Sequence, residues 1–150
     1  GAESFPVFSA LQLMTKDSTY LQPTTSGIVT AMWNKLTRNA EQLYQINVET
    51  KKWNLNYKAK SKENPNNFRL EKNISFTPIH AYMSYEKGKA KLLIVNLSEE
   101  RISIDLSRII GHCEMTQYYA KPSNKIVNVN KQNLKVMVEL EPYSISLLEE

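Results

Sequence analysis

The sequence predicts a mainly β protein: an antiparallel β-sandwich of about eight to ten strands with one or two short N-terminal helices. Apolar residues recur at every second position through most of the chain after Leu43, which is the period of a half-buried strand. The polar segments between these runs are too short for helical crossovers, so neighbouring strands must be antiparallel. The chain of 150 residues fits one domain with its own core. A sheet of that size curls or splits into two packed layers.

The first forty residues carry a helical period instead. One stripe predicts a first helix: Val7, Phe8, Leu11 and Met14. A second stripe begins after Pro23 and the capping residues Thr24 to Ser26, and predicts a helix that ends near Asn39: Ile28, Val29, Met32, Trp33 and Leu36. We therefore divide the chain into a helical lead-in, residues 1–40, and an antiparallel β-sandwich, residues 41–150.

The middle of the chain gives the clearest strand signals. The unbroken apolar run Leu92–Val95 predicts a central strand that is covered on both faces. Glu86–Lys89 is predicted to turn the chain into that strand, and Ser98–Glu100 to form the next hairpin. Asn96 is interpreted as a side chain that caps the turn at the strand end. Ile102, Ile104 and Leu106 are predicted to point inward. Further strands are predicted at Cys113–Ala120, Lys125–Val129, Leu134–Leu140 and Tyr143–Leu148.

Composition narrows the classes of function. The formal net charge of +4 is compatible with nucleic acid or anionic polysaccharide but requires neither. One cysteine and two histidines are too few for a structural zinc site, and a single cysteine forms no intramolecular disulfide. The 4 glycines form no phosphate-binding loop, so no cofactor and no metal are expected. No apolar run approaches the length of a membrane span.

No catalytic constellation emerges from the titratable residues. Glycoside hydrolysis needs two carboxylates on facing elements. Asp17 lies in a polar connection and Asp105 on the outward face of a strand, while the glutamates are scattered over turns, outward faces and the terminus. His112 and Cys113 are adjacent, but neighbouring strand residues point to opposite faces. We expect no catalytic residue in this chain.

The segment from Lys51 to Lys62 is the one constellation that suggests binding. It alternates aromatic residues and lysines, as a platform for single-stranded nucleic acid does. The same face, with Trp53 and Tyr57, suits stacking on sugar rings. The interpretation we favour is an amphipathic strand that has Trp53, Leu55 and Tyr57 in the core and its lysines in water.

The last seventy residues resemble a known family. The apolar strand that ends in Val95-Asn96-Leu97-Ser98, followed by the alternating Ile102–Leu106, resembles the C-terminal domains of α-L-arabinofuranosidases and related (β/α)₈-barrel glycosidases. The end of the chain, Glu141-Pro142-Tyr143-Ser144-Ile145, resembles the closing strand of those domains. Phe8–Met14 looks like the last helix of a preceding barrel.

The resemblance implies a non-catalytic accessory domain that stabilises a catalytic barrel in the same polypeptide of a polysaccharide-degrading hydrolase. It also implies export to the periplasm or the extracellular space. The alternative is a carbohydrate-binding module that holds a glycan on surface aromatic residues, for which the candidates are Trp53, Tyr57, Tyr82 and Tyr118. In either case polysaccharide is a candidate partner, whereas nucleic acid is not expected.

Overall fold

The strands and the helix cover most of the chain. The computed structural model describes the backbone of residues 11–13, 21–23, 25–60, 68–120, 127–134 and 137–150, and the side chains of residues 27–56, 72–119 and 137–150. In chain order the elements are β1 (Leu11–Leu13), β2 (Leu21–Pro23), α1 (Thr25–Thr37), β3 (Gln42–Ile46), β4 (Trp53–Lys60), β5 (Phe68–Phe76), β6 (Ile79–Glu86), β7 (Lys89–Asn96), β8 (Ile102–Asp105), β9 (Cys113–Ala120), β10 (Val127–Leu134), β11 (Met137–Leu140) and β12 (Ser144–Glu149).

The main layer is a six-stranded sheet in the order β10-β9-β12-β7-β6-β3, and every pair in it is antiparallel. β7 lies near its centre, and Leu92, Leu93 and Ile94 are all buried, which confirms the prediction of a strand covered on both faces. The predicted turn before β7 is also confirmed. Lys87 and Gly88 have φ angles of 52° and 76°, which is the conformation of a tight two-residue hairpin turn.

The second layer is the pair β8–β11, which packs on one face of the main sheet. The core between the two layers combines Leu92 and Ile94 of β7 with Met115 of β9 and with Val138 and Leu140 of β11. Ile102 and Ile104 pack against this core and Leu106 is buried, as the alternation in the sequence predicts. The fold is therefore an antiparallel β-sandwich, and the predicted fold class is confirmed.

Helix α1 covers the opposite face of the main sheet. Ile28, Met32 and Leu36 pack on Leu93 and Leu147. The C-terminal end of the helix is fixed because the Ser84 hydroxyl donates a hydrogen bond to the Leu36 carbonyl oxygen over 2.6 Å. Asn39 then ends the helical path in the left-handed region with φ of 60°, a conformation that asparagine tolerates better than most residues.

A hairpin arm, β4–β5, is inserted between the neighbouring strands β3 and β6. β4 and β5 pair with each other, and among the described residues neither pairs with a strand of the main sheet. At about 3.3 Å per residue, the eight residues of β4 span roughly 26 Å. An isolated two-stranded hairpin is marginally stable in water, so an arm of this kind gains from packing on something else.

Three sequence predictions are corrected by the structure. Leu11–Leu13, placed in the first helix, forms a strand that pairs with Leu21–Pro23; residues 1–10 lie outside the described part of the chain. Ser98–Glu100 does not form a hairpin, because the chain there leaves β7 and crosses to β8 in the other layer.

The third correction concerns the C-terminal strands. The single strand predicted at Leu134–Leu140 is divided, with Leu134 ending β10 and β11 beginning at Met137. Tyr143, predicted to begin the last strand, is 55% exposed and has a φ of 49°, so it belongs to the turn before β12.

Candidate functional site

The hairpin arm carries an uncovered apolar face near its base. The register pairs Trp53 with Phe76 and Leu55 with Ile74, so these four side chains share one face. The other face is polar, and there the Asn56 side-chain nitrogen donates to the Asn73 oxygen over 2.8 Å. Leu55 is 52% exposed and Ile74 is 38% exposed. The prediction that Leu55 lies in the core is therefore wrong.

Trp53 and Tyr57 both lie on β4. Trp53 is half-buried and is the first residue of β4, at the base of the arm. The side chain of Tyr57 lies outside the described residues, although its backbone pairs with Lys72. Trp53 is thus partly accessible to solvent, and the role of these two residues in stacking on a glycan stays a prediction.

Tyr82 lies on β6, beneath helix α1. Its ring meets the indole of Trp33 edge-on, with the ring centroids 5.3 Å apart and the planes at 86°. This is a favourable packing geometry for two aromatic rings. Tyr82 also packs against the cluster formed by α1 and the sheet, so most of its surface is used within the protein.

Tyr118 lies on β9, on the same face of the sheet as Tyr82 but separated from it by β7 and β12. At about 4.8 Å per strand, the two residues are roughly 14 Å apart across the sheet. Tyr118 lines a narrow cleft of about 110 Å³ beside Ala31 and Lys35 of α1. The structure therefore does not bring Tyr82, Tyr118 and Trp53 together on one open platform.

Helix α1 presents a second uncovered apolar patch. Val29 and Trp33, counted in the sequence as part of the buried stripe, are 45% and 39% exposed. They are four residues apart and therefore neighbours on one side of the helix. Leu43 of β3, 47% exposed, follows the helix and pairs with Ser84, which contacts the end of α1. No sequence signal separated these residues from the buried part of the stripe.

The titratable groups serve local structure. The pKa of the Asp105 carboxyl is lowered because it accepts a hydrogen bond from the Ser107 backbone, 2.9 Å away. The pKa of Glu86 is lowered by a hydrogen bond and ion pair with Lys91 at 2.8 Å. Glu150 accepts hydrogen bonds from the backbone nitrogens of Ala90 and Gly111, which lower its pKa.

Three further observations concern the thiol, metal binding and the membrane. Burial raises the pKa of the Cys113 thiol, which makes this group a poor nucleophile. Within the described ranges, no three residues of the types His, Cys, Asp and Glu form a cluster that could hold a metal ion. None of the helices described is long and apolar enough to cross a membrane.

The fold and its surfaces define a β-sandwich domain with a projecting arm and two uncovered apolar patches. Among solved structures, this architecture is similar to one described as "The crystal structure of Arabinofuranosidase", with a TM-score of 0.62 and 14% sequence identity. The match covers 94% of this chain and 31% of that chain, so the likeness is one of fold and extends over about a third of the arabinofuranosidase. No protein-family model and no curated protein matches the sequence.

Proposed function

We propose that this chain is a non-catalytic accessory domain of a polysaccharide-degrading glycoside hydrolase, and that it packs against and stabilises a catalytic barrel of the same polypeptide. The observation that carries the proposal is the match of nearly the whole chain to 31% of an arabinofuranosidase chain. The matched fold forms one part of that larger chain, and we infer the same arrangement for this protein. The resemblance of the closing strand at Tyr143–Ile145 supports the same inference.

The uncovered apolar patches support a docking role. Leu55 and Ile74 on the arm, with Val29 and Trp33 on α1, expose large side chains in two adjacent pairs. Apolar groups that are contiguous on a surface mark contact sites more often than single exposed residues do. Interfaces between domains of one chain are of moderate size and partly polar. The apolar patches lie among polar residues and therefore match such an interface.

The alternative, a carbohydrate-binding module on surface aromatic residues, has one favourable observation. Trp53 remains partly accessible at the base of the arm. Tyr82 and Tyr118 pack against α1 instead, which leaves little ring surface for a sugar to stack on. The docking role therefore explains more of the exposed side chains than the aromatic platform does.

The proposal is tested by the size and the activity of the native protein. An antibody raised against residues 41–150 would be applied to fractions of the organism that carries the gene. We expect it to detect a polypeptide about three times as long as this chain, in the exported fraction, because the arabinofuranosidase match covers 31% of its chain.

Activity of the captured protein completes the test. The immunoprecipitate should release 4-nitrophenol from a 4-nitrophenyl glycoside such as the α-L-arabinofuranoside, while the purified chain of 150 residues should not. Detection of a 17.3 kDa protein alone would contradict the proposal. Glycoside hydrolysis by the purified 150-residue chain would contradict its non-catalytic part.

A further inference from the structure

The arm, the end of the central strands and the start of α1 meet at one end of the domain. The pairing of the central strands closes there on one row of residues: Ile79 of β6, Asn96 of β7, Ser144 of β12 and Tyr119 of β9. β5 ends at Phe76, three residues before Ile79, so the arm also leaves from this side. We call this the entry end. The opposite end of the sheet carries the turn at Lys87 and Gly88.

Two large apolar side chains are exposed at the entry end. Leu97 follows Asn96 and is 47% exposed, and Tyr143 precedes Ser144 and is 55% exposed. Asn96 and Ser144 are paired, so Leu97 and Tyr143 belong to adjacent strand ends. The Leu97 backbone nitrogen donates a hydrogen bond to the Pro78 carbonyl oxygen over 2.8 Å, which links Leu97 to the segment between the arm and β6.

The exposed pair on the arm lies close to these residues. Ile74 is four residues from Pro78, and its partner in the register is Leu55. At about 4.8 Å between strands and 3.3 Å per residue, Tyr143 lies within roughly 23 Å of Ile74. Interfaces between domains bury roughly 600–1,500 Å² in total, which is a patch about 20–30 Å wide on each side. One contact of that width can therefore cover the exposed residues of both the sheet end and the arm.

Tyr143 is held in its position by the turn before β12. Its φ of 49° lies in the left-handed region, which costs free energy for a tyrosine. The turn persists because Asn96 donates to the Glu141 oxygen over 3.0 Å, and because the Tyr143 nitrogen donates to the Ser98 oxygen over 3.1 Å. Since this backbone is already fixed, less conformational freedom is lost when the ring is buried by a partner. Tyrosine is also among the residues that contribute most to the stability of interfaces.

The polypeptide that precedes α1 joins the domain at the entry end. The last turn of α1 contacts Ser84, towards the opposite end of the sheet. The first turn, with Ile28, lines a cleft beside Tyr118, one residue from the closing row. Pro23 precedes the helix by two residues, and Leu11 pairs with Pro23. The part of the polypeptide before Leu11 is therefore connected to the domain at this end.

The arm carries the positive charge of the protein. Residues 51–76 hold six lysines and one arginine against two glutamates, a net charge of +5, whereas the whole chain carries +4. The rest of the chain therefore carries −1. Lys51, Lys52 and Lys72 are exposed and flank the apolar pairs of the arm in sequence. A surface that covers this part of the arm is complementary if it presents acidic side chains around an apolar centre.

We propose that the entry end docks on the part of the same polypeptide that precedes Leu11, and that this contact buries Tyr143, Leu97, Leu55 and Ile74. The covering surface is apolar at its centre and acidic opposite the arm. The preceding polypeptide is favoured over a second copy of this chain because it is already connected at this end, and because two arms of charge +5 repel each other. The inference rests on the accessory role proposed above and adds where the contact lies.

Hydroxyl-radical footprinting tests the contact. It compares side-chain oxidation in the polypeptide encoded by the whole gene with oxidation in the chain of 150 residues. The core of an interface is fully buried, so the oxidation rates of Tyr143, Leu97 and Leu55 should fall by about fivefold or more in the whole polypeptide. Ile109 and Met137 are the controls. They are 37% and 50% exposed and lie away from the entry end, so their rates should be equal in both proteins.

Leu97→Ser combined with Tyr143→Asn separates docking from folding. Asparagine tolerates the φ of 49°, and both replaced side chains are exposed, so the melting temperature of the 150-residue chain should change little. In the whole polypeptide the melting temperature should fall by about 2–4 °C more, because the same changes then remove buried contacts. Met137→Ser is the matched control and should have equal effects in the two proteins.

The acidic character of the covering surface is tested by carbodiimide cross-linking, which joins lysines to carboxylates in contact. Lys51, Lys52 or Lys72 should be joined to carboxylates that precede Leu11. The inference is overturned if Tyr143, Leu97 and Leu55 stay accessible in the whole polypeptide, if the double variant shifts both melting temperatures equally, or if these lysines are joined only to carboxylates within the 150 residues. Each of these results would leave the accessory role standing with another contact surface, whereas the absence of a longer polypeptide in the antibody test would remove that role itself.

Discussion

The side-chain nitrogen of Asn96 donates a hydrogen bond to the backbone oxygen of Glu141, 3.0 Å away. A second hydrogen bond from the same nitrogen reaches the Glu100 oxygen at 2.9 Å, and the Asn96 oxygen accepts from the backbone and the hydroxyl of Ser98. Asn96 is fully buried. One carboxamide thus holds together the end of β7, the crossover to β8 and the turn between β11 and β12.

Asn96→Ala should lower the free energy of unfolding by about 2–4 kcal/mol, because it leaves several buried backbone groups without partners. Urea denaturation followed by tryptophan fluorescence measures this change. Asn73→Ala on the exposed face of the arm is the control, and it should change stability by less than about 0.5 kcal/mol. Equal effects of the two substitutions would mean that the buried Asn96 hydrogen bonds contribute little.

The Cys113 thiol should resist modification in the folded protein. The residue is 4% exposed, and burial raises the pKa of its thiol, so the reactive thiolate is scarce. We expect 5,5′-dithiobis(2-nitrobenzoate) to react with it at pH 8 only when urea unfolds the chain, at the midpoint seen by fluorescence. Rapid modification in native buffer, at the rate of a free thiol peptide, would show that this region opens readily.

Glu150 should make stability depend on pH in the acid range. Its carboxylate accepts hydrogen bonds from Ala90 and Gly111 over 2.9 and 2.8 Å, which lower its pKa in the folded state. The unfolded chain then binds a proton more readily, so the contribution of Glu150 is present above about pH 4.3 and is lost as the pH falls through the folded pKa.

Glu150→Gln should therefore be less stable than the parent chain at pH 7, and the difference should shrink as the pH is lowered towards 3. Melting temperatures of both proteins between pH 3 and 7 measure it. Glu99→Gln is the control. Glu99 is exposed, and among the described residues its carboxylate does not accept a pair of backbone hydrogen bonds as Glu150 does. A difference between parent and Glu150→Gln that stays constant over this range would refute the pH assignment.

The apolar face of the arm should bind a hydrophobic dye. Nile red is suitable because it is uncharged, whereas residues 51–76 hold six lysines and one arginine against two glutamates. Leu55→Ser combined with Ile74→Ser should reduce Nile red fluorescence, since both side chains are exposed at adjacent positions of the register.

The control for the dye removes two exposed apolar residues elsewhere. Ile109 is 37% exposed and Met137 is 50% exposed, and the double serine variant at these positions should retain most of the fluorescence. If both double variants lose the same fraction of the signal, the dye reports general surface hydrophobicity and the arm is not a distinct contact surface.

The sequence predicted the features that depend on neighbouring residues. The turn at Lys87 and Gly88 and the buried run Leu92–Ile94 follow from local composition and periodicity, and both were found. The course of Ser98–Glu100 was missed because a polar turn serves a hairpin and a crossover equally well. After β7 the neighbouring strand in the sheet is β12, Ser144–Glu149, which lies some fifty residues further along the chain. The local sequence pattern carries no information on that pairing.

The surfaces were harder to predict than the strands. Alternation places Trp53 and Leu55 on one face, as observed, but it does not say whether another layer covers that face. The helical stripe likewise included Val29 and Trp33 with Ile28 and Met32, although the sheet buries only the latter pair. The cavity of about 390 Å³ beside β3 and β6 was not anticipated, because it is lined by two segments, residues 45–48 and 77–80, that are about thirty residues apart.

The arm leaves the sheet after Ile46 and the chain rejoins it at Ile79, on the strand next to the one it left. Two adjacent antiparallel strands can also be joined by a tight turn. The order of the main sheet is therefore independent of the length of the insertion, and residues 49–76 can lengthen, shorten or be exchanged without a change in topology. Evolution or protein engineering can thus change the surface that the arm presents to other molecules, while the core of the domain stays the same.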